Sequence, residues 1–304
     1  MSEIIDSRSE LLFLYDIENA NPNGDPLNEN RPRFDTESSV ALVSDVRLKR
    51  TIRDYWYEYK EFNGLDDRQD IFVRETTYDE GDKKYIKDGK RRARDFQEQA
   101  DIILAKCIDI RVFGGVIPLT KDSITYIGPV QFQMGKSLNK TEIIEEQGTG
   151  AFASTEKKIQ ATFRTEYKIP YAVIGFNGII NEKAARYSRM TKEDKALLLE
   201  GIWEGTKNLI SRSKFGQSPL FLLEVEYKEP FYIGNLRQRL KLDYGEMNEL
   251  QIRGTNDYKL DISELLEALK ENKEKIANIH LKLDSRITMI SNGKLITNIS
   301  KDEI

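Results

Sequence analysis

The chain has 304 residues, 39% of them hydrophobic and 32% charged, with one Cys and one His. That length suits one large or two ordinary domains with a sizeable core, and no window holds the ~18 uninterrupted apolar residues of a membrane helix. The lone Cys107 excludes an internal disulfide and a Cys-rich zinc site, and the single His280 leaves histidine-based catalysis little to work with.

The net charge of -4 hides segregation. Residues 1–30 carry seven acids and one base, whereas residues 83–94 carry seven bases against Asp88 alone. Confined basic stripes on an acidic protein fit a binder that tracks one phosphate backbone along one groove. The opening residues MSEIIDSRSE lack the basic and apolar regions of a signal peptide, so a cytoplasmic protein with no membrane partner is expected.

In chain order, residues 10–18 (ELLFLYDIE) form a compact apolar run ending in acids, the pattern of a buried first strand. The turn-rich loop NANPNGDPLNENRPRFD follows, with Pro22 and Pro26 on either side of Gly24. Ser44 is the expected N-cap of helix one, whose apolar stripe is Leu48, Ile52, Tyr55 and Tyr59. Lys49, Arg50 and Arg53 fall on the far side as a face of three bases and no acid. Residues 63–90 are a polar insertion, and a helix over 96–107 buries Cys107 as a small core hydrophobe.

Strands are expected at 108–113, 124–133, 166–176 and 220–227. A helix over 191–211 carries Leu199, Ile202, Trp203, Thr206 and Ile210, with Gly201 and Gly205 permitting close approach to a sheet. Residues 134–163 lack a clean period and make an excursion from the core. A helix at 261–278 precedes a strand with His280 on its wet face, then a hairpin turning at Asn292-Gly293. Strand, helix, strand, strand, helix, strand is the split βαβ order of an α+β, ferredoxin- or RRM-type fold.

Two motifs fail on spacing. MGKS at 134–137 lacks the earlier glycine of a P-loop, since Val130 stands there. The Asn19–Gly24 run begins like a calcium loop, but position twelve is Asn30 and prolines interrupt it. What remains is an Asn/Gly loop, an Arg-Pro-Arg pair and a helix presenting bases, a combination suited to holding phosphate.

The stretches NPNGDPLNENRPRFD and LVSDVRLKRTIRDYW closely resemble the opening of the CRISPR-associated backbone subunit of type I Cascade complexes, the seventh Cas family in its Csh/Csd branch. The likeness continues through DIRVFGG (109–115), GPVQFQMGKS (128–137), YKIPYAVIGFNGIIN (167–181) and RSKFGQSPLFLLEVEY (212–227). The resemblance implies an RRM-like palm across 1–304, helical fingers at 61–107, a thumb at 137–163 and a C-terminal helix and hairpin at 257–304.

It also implies a non-enzymatic protein without cofactors, polymerising along a crRNA. Its partners would be that crRNA, copies of itself, other Cascade subunits, and target DNA through the guide. By motif, the RNA-binding set would be Asn21, Asn23, Gly24, Arg31, Arg33, Ser44, Arg47, Lys49, Arg50, Arg53, Gln131, Lys136, Ser137, Phe152, Arg212, Lys214 and Gln217.

Several alternatives stay open in the residues themselves. Phe152 could wedge against a base or pack on a neighbouring subunit. Arg31 and Arg33 could pair with Glu29, Asp35 and Glu37. The run 83–94 could face RNA, DNA or solvent. The competing function is a metal-dependent target-RNA endonuclease of type III kind, with Asp25 or Asp35 as the loop carboxylate.

Overall fold

The computed structural model describes residues 3–66, 68–149 and 163–302. Six elements make the palm: β1 (Ser9–Ala20), α1 (Asp45–Tyr59), β2 (Val130–Phe132), β3 (Phe163–Ile180), α2 (Lys192–Lys207) and β4 (Gln217–Tyr227). β1 pairs antiparallel with β3 on one side, Phe13 opposite Phe176, and with β4 on the other, Leu12 opposite Leu223. β2 pairs with the far edge of β3, giving the 4-1-3-2 order of a βαββαβ palm. Gly135–Ser137 pairs with the same edge of β3 alongside β2, Val40–Val43 pairs outside it, and β5 (Ile276–Leu283) extends the sheet beyond β4.

β1 is a nearly continuous apolar run because both of its faces are covered. Leu11, Phe13, Tyr15 and Ile17 pack under α1 and α2 with Ile52, Trp56 and Ile202. Leu12 and Leu14 point the other way, into a second core with Leu236, Leu260, Leu265 and Leu269 from the C-terminal third. That third contributes a helix, Ser263–Glu271, and a four-stranded sheet that ends in the hairpin Met289–Ser291/Lys294–Ile296. Asn292 and Gly293 turn the hairpin with φ of 49° and 74°, the left-handed pair that a two-residue turn demands.

Several local expectations need correction. Residues 108–113 form a helix, Ile108–Phe113, with all six side chains buried; Asp109 and Arg111 fix it through ion pairs to Arg53 and Asp194. The buried stripe of α1 is Leu48, Thr51, Ile52, Tyr55 and Trp56, while Tyr59 stacks on Tyr55 at the surface. α2 stops at Lys207, so Ile210 lies beyond it and is exposed. The close approach at Gly201 and Gly205 is to α1: added Cβ atoms would stand 2.9 Å from Ile52 and 3.1 Å from the Thr51 carbonyl. The C-terminal helix also ends earlier than expected, at Glu271, because the chain must re-enter the sheet at Ile276.

The insertion between α1 and β2 has its own core of Phe72, Phe96, Ile103, Leu104, Cys107, Ile110 and Ile117. Burial pushes the Cys107 thiol pKa up, which keeps it a neutral core residue. From this core projects an exposed hairpin, Thr77–Glu80 with Lys83–Ile86. The excursion before β3 is a two-stranded arm, Ile144–Thr149 against the first residues of β3. Phe152 lies outside the described residues.

Candidate nucleic-acid interface

Where β1 ends, the chain crosses the tip of the sheet between the start of α1 and the loop that leads into β4. Asn21 donates its backbone N–H to the Ser213 carbonyl at 2.9 Å, and its own carbonyl accepts from Lys214 Nζ at 2.5 Å. Its side chain donates to the Asn30 carbonyl at 2.7 Å, closing the loop, while Oδ1 is buried without a partner among the described residues. Asn23 Oδ1 accepts from both the N–H and the hydroxyl of Ser44, at 2.8 and 2.9 Å. Ser44 Oγ in turn accepts from the Arg47 N–H at 3.2 Å, the N-cap expected for this helix. A Cβ at Gly24 would stand 2.0 Å from Asn30 Oδ1, the end of an exposed side chain, and 3.1 Å from the Asn30 carbonyl oxygen, so the loop closes tightly here.

Into this frame project two cations, Arg47 and Lys214. Neither forms an ion pair among the described residues, and Arg47 Nε is buried without an acceptor. Burial lowers the pKa of both, and the Arg47 charge adds to the effect on Lys214, which falls to about 8. Two partly desolvated positive charges side by side are unfavourable unless an anion joins them. Lys136 is exposed and lines a 390 Å³ cleft with Ser38, Ser137, Arg237 and Gln238.

The helix-one bases behave differently, and the expectation of an acid-free face is corrected. Lys49 bonds Asp45 at 3.0 Å and Arg50 bonds Asp54 at 2.6 Å, both one helical turn away. Arg53 bonds Asp109 at 3.0 Å, a carboxylate with no solvent exposure that also accepts the N–H groups of Phe72 and Val73. Arg31 stacks on Tyr167 at 4.2 Å and pairs with Glu29. Arg33 pairs with Asp25, and Arg212 with Glu166 at the base of the excursion. Ser137 and Gln217 are buried and tie down backbone: Ser137 Oγ accepts from the Ala41 N–H, and Gln217 donates to the Lys214 carbonyl. Gln131 is exposed and donates to the Gly128 carbonyl.

Sequence reasoning missed Asp109 and Arg237. Asp109 was hidden by the strand reading of its segment. Arg237 lies beyond the last motif and caps the Met134 and Gly175 carbonyls at 3.4 and 3.3 Å from the C-terminal third.

Residues 7–263 match the family described as CRISPR-associated protein Cas7. The chain belongs to the Cas7 family. A Haloferax volcanii relative, "CRISPR-associated protein Cas7", is 32% identical over 93% of this chain and 88% of its own length. Chains of two solved structures, "CRISPR RNA-guided surveillance complex, pre-nicking" and "CRISPR RNA-guided surveillance complex", superpose with TM-scores of 0.53 and 0.52. They cover 94% and 91% of this Cas7-family chain, which covers 96% and 88% of theirs, at 10% and 11% identity. That likeness concerns the mixed α+β fold, a central sheet with helical insertions. No described helix is long and apolar enough to cross a membrane.

Proposed function

We propose that this Cas7-family chain is a non-enzymatic, crRNA-binding backbone subunit of a CRISPR surveillance complex, of type I and the Csh/Csd branch. Several copies lie side by side on one guide, with other Cascade subunits at the ends and target DNA recognised through the guide, in defence against viruses. The observation that carries the reading is the Arg47–Lys214 pair, two partly buried cations with no ion pair among the described residues, framed by the Asn21–Ser44 loop. A phosphodiester supplies the missing negative charge.

In this reading the insertion around 61–107 serves as fingers and the 137–163 excursion as a thumb. Family membership supports the reading, and so does the covering of the sheet's second face. RRM modules commonly stack bases on that face, but here the C-terminal third occupies it. The guide therefore runs along the rim, where the cations are.

The nuclease alternative has a loop carboxylate to point to, but both candidates serve local turns. Asp25 accepts the Leu27 N–H and Arg33; Asp35 accepts the Glu37 and Ser38 N–H groups and the Ser38 hydroxyl, which lowers its pKa. Native mass spectrometry of the protein loaded with guides of increasing length tests the proposal. Stepwise addition of subunits with guide length supports it, and one subunit per guide at every length refutes it.

A further inference from the structure

The loop that carries Lys214 also carries Phe215, a residue 71% exposed. The loop is held firmly from both ends. Lys214 and Phe215 donate their N–H groups to the Ser211 carbonyl at 3.0 and 2.8 Å, and the Ser213 carbonyl accepts from Asn21. Gly216 follows with φ of +108°, and its carbonyl accepts the Glu18 N–H at 2.8 Å. A Cβ at Gly216 would stand 2.3 Å from the Glu18 carbonyl, so the loop is closed against β1 by a residue that only glycine can be. The outcome is a lysine turned inward to Asn21 and a phenyl ring turned outward, one residue apart on a braced turn.

Several other exposed rings have intramolecular partners. Tyr59 stacks on Tyr55, Tyr85 on Tyr78, and Tyr57 lies under Arg74. Phe215 has no such partner among the described residues. A braced turn that carries an exposed ring, unpartnered among the described residues, next in sequence to one member of the Arg47–Lys214 pair has the two parts of a single-strand platform: charge for the backbone and a π-face for a base.

We propose that Phe215 is a base-stacking residue, receiving the base whose phosphate sits on Arg47 and Lys214. This rests on the RNA-binding reading and names a contact within it. Because every base has a π-face, the contact is indifferent to sequence, as a protein carrying many different guides requires.

The test uses a short oligouridine with one 4-thiouridine, bound by the full chain and by the variants Phe215→Ala and Phe215→Tyr. Phe215→Ala should weaken binding roughly 5- to 150-fold, the range for removing one base–aromatic stack. Its salt dependence should stay as in the wild type, because no charge is removed. Phe215→Tyr should restore affinity, and photocrosslinks from the wild type should map to the peptide containing residue 215. Unchanged affinity of Phe215→Ala together with crosslinks elsewhere overturns the assignment while leaving RNA binding intact. A Phe215→Ala chain that binds the oligomer normally but no longer assembles on long guides also overturns it, in favour of a ring seated on the adjacent copy. A wild-type chain that binds no RNA overturns both this assignment and the reading beneath it.

Discussion

Two groups of basic residues lie on either side of the first turn of α1, and they differ in the company they keep. Lys49, Arg50 and Arg53 each have a carboxylate within 3.0 Å, supplied by Asp45, Asp54 and Asp109. Arg47 and Lys214 have none among the described residues, and burial lowers the pKa of both. Counting positive charges on a helical wheel selects the first group; the balance of charge in three dimensions selects the second. A base already paired with a carboxylate, whether exposed like Arg50 or mostly buried like Lys49 and Arg53, has its charge balanced and gains little from a phosphate. A partly buried unpaired one gains most.

The comparison breaks most visibly at Asp109. Asp109→Ala removes the acceptor for Arg53 and two backbone N–H groups at a site without solvent. Chemical denaturation should show a loss of about 3 to 5 kcal/mol, the cost of leaving a buried charge unpaired. If Arg53 were instead held in place for RNA, stability would barely change and RNA affinity would fall alone.

A smaller effect separates the groups by pH. The folded pKa of Lys214, about 8, lies below its ordinary 10.5, so between those values the unfolded chain binds more protons than the folded one. Stability of the free protein should therefore rise with pH across that window. RNA affinity should move the opposite way, falling as pH passes about 8 and the ammonium loses its proton. Lys214→Arg stays charged and should lose both trends. Affinity and stability rising together in the wild type would contradict the assignment.

The contrast also shows which features were legible in the sequence. The palm order was legible because β1, α1, β3, α2 and β4 each combine a strong period with a clear boundary, such as the Ser44 cap or the turn chemistry after Ala20. The second sheet face was not. The near-continuous apolar run of β1 shows that both faces are covered, but nothing in it names the cover, which comes from residues more than 200 positions away. The strand reading of 108–113 failed because alternation of Ile108, Ile110 and Val112 mimics a half-buried strand. The charged residues between them are buried too, in ion pairs that sequence order does not reveal. Arg47 and Lys214 were both in the motif set, but their special status was invisible. It depends on what is absent around them.

The salt dependence of RNA binding tests the central claim most directly, measured for wild type, for Arg47→Ala/Lys214→Ala and for Lys49→Ala/Arg50→Ala. Removing one cation from a single-strand phosphate should lower the slope of log affinity against log salt by roughly 0.7. The account predicts a drop of about 1.4 for the first double variant and a slope close to wild type for the second. The reverse pattern, with the helix-face variant losing the slope and the Arg47/Lys214 variant keeping it, would contradict the account.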